Sequence, residues 1–158
     1  MMKAAGTMPR IFRQPNGKPV ANGTGLSVAH AGPLTIAAAG TGEIGCDLEL
    51  VGAKSVQAWG DMLGEDSFHL ARVISRECAE SLDTAATRLW TARESLLKAG
   101  LAATAPLVLQ GNGEKSTDGW VLLRSGSTTV CTCVASVAGF PGALVAAVAL
   151  HAEGRNGG

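Results

Sequence analysis

The sequence predicts an α+β fold, an antiparallel sheet packed on a long central helix, and three observations predict it. Apolar runs with period-two alternation, broken by Gly- and Pro-rich turns, occupy residues 26–51. Residues 83–99 then place apolar side chains at helical spacing over a charged far side. Strand-like runs return afterwards, at 107–109, 119–124 and 128–135. A helix between two sets of strands, rather than alternating with them, points to a segregated α+β arrangement.

Residues 1–14 carry no pattern and are expected to be poorly ordered, with the folded domain running over 15–152 and a flexible tail over 153–158. Gln14-Pro15-Asn16-Gly17-Lys18-Pro19 is dense in turn formers, and Asn22-Gly23-Thr24-Gly25 closes a loop ahead of a strand at 26–28. Residues 34–39 and 44–51 read as two further strands joined by tight turns. The period changes after Val56: Trp59, Met62 and Leu63 suit a short helix stopped by Gly64, and Phe68, Leu70, Ala71, Val73 and Ile74 suit a second. The third helix has Asp83 placed as its cap, Leu89, Trp90, Leu96 and Leu97 as apolar positions and Gly100 as its stop. Residues 143–150 read as either a strand or a short helix.

A chain of 158 residues that is 46% hydrophobic is expected to form one domain with a real core. Thirteen basic residues balance thirteen acidic ones, so no global field draws the chain to nucleic acid or an anionic membrane, and any anion site must be local. The apolar stretch 134–150 is interrupted by Gly139, Pro141 and Gly142 and falls short of the ~20 residues of a membrane helix. Cys46, Cys78, Cys131 and Cys133 lack CxxC spacing and no secretory leader precedes them, which is read as a reduced, cytoplasmic setting. Cys131 and Cys133, two apart in a strand, are expected on one face as small core residues.

Ile44-Gly45-Cys46-Asp47-Leu48-Glu49 sets two carboxylates at i and i+2 of a strand, so both project from one face while Cys46 and Leu48 take the other. Alone, such alternation describes any half-solvated strand. In Trp90-Thr91-Ala92-Arg93-Glu94-Ser95-Leu96-Leu97-Lys98, Glu94 and Lys98 share a helix face with Arg93 beside them, which alone is an ordinary surface pair. His30 in Ser27-Val28-Ala29-His30 and Lys18 in Gly17-Lys18-Pro19 would each pass as structural or solvated.

The order of these pieces is more specific than any one of them. Gly-Lys-Pro, then Ser-x-x-His, then Gly-x-Asp-x-Glu, then Trp-x-x-Arg-Glu-Ser-x-x-Lys, spread from Gly17 to Lys98, resembles the phosphopantetheinyl transferase superfamily. The first two elements are more similar to the larger, surfactin-synthetase-activating type than to the small carrier-protein synthases. The run 83–100, with Gly119-Trp120-Val121-Leu122-Leu123 and Ser125-Gly126, resembles the C-terminal transferase domain of iterative enediyne polyketide synthases. Two positions depart from the family pattern: Arg93 replaces a lysine, and Ala29 and Ala31 replace serines that flank the histidine. Arginine keeps the charge but spreads it over a planar fork.

The resemblance implies a phosphopantetheinyl transferase-like fold and the transfer of the 4′-phosphopantetheine of coenzyme A to a serine of an apo acyl carrier protein, releasing 3′,5′-ADP. It implies Mg2+ held by Asp47, Glu49 and Glu94, as suits a hard cation that prefers oxygen ligands. Lys98 and Arg93 are expected on phosphate oxygens, with Glu94 and Lys98 as the catalytic pair. His30 is expected on the 3′-phosphate of coenzyme A, with Lys18 and Arg13 adding charge nearby. The family uses a glutamate upstream of the helix motif as base; Glu65, Glu77 and Glu80 all lie in that region without one standing out, and a metal-bound water or Glu94 itself is the alternative. A chain of one such unit is expected to self-associate as a trimer with its cleft between subunits, and apolar residues from Trp59 to Phe68 are expected to meet the carrier. The alternative is a non-catalytic scaffold or oligomerisation module of the same fold within a synthase.

Overall fold

A computed structural model describes residues 10–15, 17–21, 24–102, 104–110 and 119–151. Among them are the strands β1 (Ile11–Arg13), β2 (Pro19–Ala21), β3 (Thr24–Ala31), β4 (Leu34–Gly40) and β5 (Ile44–Leu50), the helices α1 (Val56–Leu63), α2 (Glu65–Glu77) and α3 (Leu82–Lys98), and the strands β6 (Val108–Leu109), β7 (Trp120–Ser125), β8 (Thr128–Ser136) and β9 (Ala143–His151). All strand pairs are antiparallel, in a four-stranded sheet ordered β1-β2-β3-β4 and a five-stranded sheet ordered β5-β9-β8-β7-β6. The α+β class and the packing of an antiparallel sheet on the long helix are as the sequence predicts, since α3 lies across β5, β9 and β8.

The two faces of the five-stranded sheet do different work because side chains alternate along each strand. On one face, Val121, Leu123, Val130, Ala147 and Ala149 meet Ala85, Leu89, Ala92 and Leu96 of α3 and Ile74 of α2 in the main core. Burial of each large aliphatic side chain there contributes roughly 1.5–3 kcal/mol. On the other face, Cys46, Leu48, Leu144, Ala146 and Val148 pack against Ala29, Ala31, Leu34 and Ile36 of the small sheet. Small residues on β3 bring it close enough for Ser27 Oγ to accept the Cys46 backbone N–H at 2.8 Å. A donor on the outer strand of the large sheet is thereby satisfied, as a buried N–H must be.

Several expectations shift. Among the described residues, strand structure is already present at Ile11, ahead of Pro15, because β1 pairs with β2 through the register Phe12 to Val20. Residues 1–9 and 152–158 lie outside the described residues. Ser81, not Asp83, caps α3: its Oγ accepts from Thr84 N at 3.1 Å, while Asp83 Oδ1 accepts instead from Trp59 Nε1 at 2.7 Å and Lys54 N at 3.1 Å. Gly64 and Gly100 do end α1 and α3 with positive φ, the backbone state that favours glycine. Residues 143–150 are strand, and the apolar stretch 134–150 becomes the end of β8, a turn and β9. No helix among the described residues is long and apolar enough to cross a membrane. None of the four cysteines forms a disulfide; Cys46 is buried, while Cys131 and Cys133 share a sheet face but are only half-buried.

Candidate functional site

Gly45 sets the geometry of the acidic half of the site. A Cβ at this position would run into Ser95 O and lie 2.6 Å from Ala99 N, so α3 rests directly on the β5 backbone here. Asp47 and Glu49 follow on the same face and therefore look toward α3. Asp47 Oδ1 accepts from Lys98 Nζ at 2.7 Å, and Glu49 Oε1 accepts from Trp90 Nε1 at 3.3 Å. Trp90, Glu94 and Lys98 are four apart and share a helix face, so one stripe of α3 meets one stripe of β5.

Burial pushes the Glu49 carboxyl above the ordinary range, and the nearby charge of Asp47 pushes the same way, with a smaller push from Glu94. The Trp90 hydrogen bond and the Lys98 charge pull it back without cancelling the rise. Asp47 and Glu94 are thus both within electrostatic reach of Glu49. The three are not a closed ligand set: among the described residues no group of three or more His, Cys, Asp and Glu side chains is placed to hold a metal ion. One observation does fit a cation. Asp47 Oδ2 is buried without a hydrogen-bond partner among the described residues, and a buried carboxylate oxygen in that state is costly. Hard oxygen donors that repel one another suit a small divalent ion such as Mg2+.

Beside the acids lies a cleft of about 380 Å3 walled by the β1–β2 loop, β3 and the C-terminal end of α3. Arg13, Lys18, His30 and Lys98 all line it, and among the described residues no acidic one does. His30 Nδ1 meets Thr35 Oγ1 at 2.8 Å, which fixes the ring, and Arg13 Nη1 donates to Gly17 O at 3.0 Å. Lys18 Nζ pairs with Glu43 Oε2 at 2.8 Å across the rim. Basic side chains from three separate stretches of the chain converge here, and Lys98 belongs both to this cleft and to the acid stripe.

Arg93 is not brought to this cleft. It is one residue from Glu94, hence about 100° round the helix, and its Nη1 donates to Leu63 O at 2.7 Å. It lines a separate cleft of about 230 Å3 with Glu65, Asp66 and Pro106. None of the three glutamates weighed as base lines the cationic cleft: Glu65 sits with Arg93, Glu77 pairs with Arg76, and Glu80 is held by Arg88 at 2.9 Å. The stretch from Trp59 to Phe68 is not an exposed apolar surface. Trp59 is 2% exposed, Leu63 is buried, and Met62 and Phe68 pack against the main core because the apolar faces of α1 and α2 turn inward.

Three residues have roles that the motifs did not assign. Trp90 holds Glu49, Gly45 admits α3, and Ser27 ties the small sheet to β5. The spacing of Trp90 to Glu94 and Lys98 was the available signal for the first. Comparison of the chain with protein-family models and with curated proteins yields no match.

Proposed function

We propose that the chain is a phosphopantetheinyl transferase that moves the 4′-phosphopantetheine of coenzyme A to a serine of an apo acyl carrier protein of the polyketide synthase type. The observation that carries this reading is the cleft that gathers Arg13, Lys18, His30 and Lys98 next to Asp47. Coenzyme A bears a 3′-phosphate and a diphosphate, and a cationic cleft running into a group of carboxylates is complementary to that pattern of anion and metal-bound anion.

In the reaction the serine Oγ forms a bond to the phosphorus that carries pantetheine. The bond from that phosphorus to the bridging oxygen breaks, 3′,5′-ADP leaves with the electron pair, and the serine proton passes to a base. Asp47, Glu49 and Glu94 would hold Mg2+, which when bound neutralises charge on the diphosphate oxygens. His30, Lys18 and Arg13 bind the 3′-phosphate end. Lys98 takes an oxygen of the diphosphate and stabilises the charge that grows on the leaving phosphate. Trp90 fixes Glu49 through its Nε1–H. In this reading Arg93 supports the α1–α2 junction and does not hold phosphate.

The test is to incubate the chain with apo carrier, coenzyme A and magnesium and then weigh the carrier. A gain of one phosphopantetheine arm, lost in Asp47→Ala, supports the enzyme. A carrier of unchanged mass, with the chain folded and coenzyme A unbound, overturns it in favour of a non-catalytic module.

A further inference from the structure

We infer that Asp47 and Lys98 form an exchange pair that couples cation binding to anion binding: a divalent cation at the Asp47 carboxylate releases the Lys98 ammonium to take an anionic oxygen in the cationic cleft. The inference rests on the proposed reading of that cleft and adds to it an order of events and a residue that carries the coupling.

Lys98 occupies both halves of the site. Its Nζ lies 2.7 Å from Asp47 Oδ1, yet its side chain also lines the cleft with Arg13, Lys18 and His30. The two partners are unequally fixed. The Asp47 side chain is 9% exposed on a central stretch of strand, whereas that of Lys98 is 35% exposed at the last residue of α3. A lysine is a point charge on a four-carbon stem with three donors, so it can turn between partners by side-chain rotation alone.

Asp47 cannot release Lys98 unaided, because its other oxygen, Oδ2, already lacks a hydrogen-bond partner among the described residues. Loss of the ammonium would leave a buried carboxylate uncompensated, which is strongly unfavourable. A cation that binds Asp47 removes that obstacle. Lys98 then joins the other cations of the cleft, and anion affinity rises. Linkage is reciprocal, so an anion that engages Lys98 must strengthen cation binding by the same factor.

A cation that bridged the diphosphate directly would also couple the two ligands, so the test is made without one. In the presence of a chelator, Asp47→Asn removes the charge that holds Lys98, and 3′,5′-ADP should bind about tenfold more tightly than to the unsubstituted chain, within the usual range of coupling factors. Removal of a nearby negative charge acts on the anion in any background, and a double-mutant cycle with Lys98→Gln subtracts that part. The glutamine amide can still donate to Asp47, which protects the fold of the single variant. The exchange pair requires the gain from Asp47→Asn to shrink to twofold or less in the Lys98→Gln background. An equal gain in both backgrounds, or none in the first, overturns it.

A second readout needs no variant. The 15N resonance of the Lys98 ammonium should move when magnesium is added in the absence of any nucleotide, and a resonance that stays in place overturns the pair. Should the unsubstituted chain bind neither 3′,5′-ADP nor coenzyme A with magnesium present, the functional proposal falls and this one with it. If it binds them and the cycle shows no coupling, the exchange pair alone falls.

Discussion

Gly45 has no room for a side chain because the α3 backbone at Ser95 and Ala99 occupies the space. Backbone cannot rotate away as a flexible side chain can, so Gly45→Ala must push α3 off β5. A destabilisation of about 3 kcal/mol is expected from overpacking of this kind, read as a lower denaturant midpoint. Because Lys98 and Trp90 ride on the same helix, 3′,5′-ADP affinity should fall with it. Glu49 gives a prediction with a definite sign. Its folded carboxyl titrates above the ordinary range, so the folded protein keeps a proton that the unfolded chain has released. Relative to Glu49→Gln, the chain should therefore lose stability as pH rises from about 4.3 through the raised value. Thermal midpoints of the two proteins at a series of pH values check this, and curves that stay parallel contradict it.

At the scale of elements, α3 is pinned at its N-terminal half as firmly as it is poised at its C-terminal end. Arg88 is 2% exposed and donates to both oxygens of Glu80, to Thr132 O and Oγ1, and to Gly119 O. One guanidinium thus joins the α2–α3 turn, β8 and the start of β7. Arg88→Met should cost about 3–5 kcal/mol, since it strands Glu80. Adding Glu80→Gln should recover part of the loss, and urea denaturation of the three variants measures it.

This network was not legible beforehand, because nothing in the run from Asp83 to Trp90 says that a charged helical position faces inward. What could be read was what local periodicity controls: the three helices, the strands β3 to β8, and the acid stripe at Asp47 and Glu49, whereas residues 143–150 stayed open between strand and short helix. β1 and β2 escaped because their short runs flank the turn formers at 14–19 and 22–25, which read as one loop. Asp83 stood out as the cap of α3 where Ser81 serves, because both residue types cap well and it is the tertiary bond from Trp59 Nε1 that engages Asp83 elsewhere. Arg93 was misplaced by treating sequence neighbours as spatial ones, although a step of one residue on a helix changes the face.

For the whole molecule, the cleft joins layers that lie on opposite faces of the large sheet, the small sheet on one and α3 on the other. Arg13, Lys18 and His30 belong to the small sheet and its leading hairpin, and Lys98 to the helical layer. A ligand that bridges them should raise the melting temperature, with about 2.7 kcal/mol of added stability at a hundred times its Kd. His30 is expected to read the 3′-phosphate. The unsubstituted chain should prefer coenzyme A over its 3′-dephospho form, and His30→Ala should cut that preference about tenfold, or ~1.4 kcal/mol, without changing binding of the dephospho form. Calorimetric titration of both ligands separates this from general loss of the cleft.

β9 is the last strand of the described chain, yet it lies inside the large sheet, with Ile44 of β5 opposite Leu150 and Asp47 opposite Ala147. During synthesis the acid-bearing strand therefore emerges from the ribosome long before the neighbour that completes its ladder. The hairpins of the small sheet close early through local pairing, whereas the carboxylates wait for β9, a long loop closure of the kind that slows folding. A nascent chain stopped at Ser136 should consequently keep β5 amides open to solvent exchange, with protection arriving only once β9 has been made.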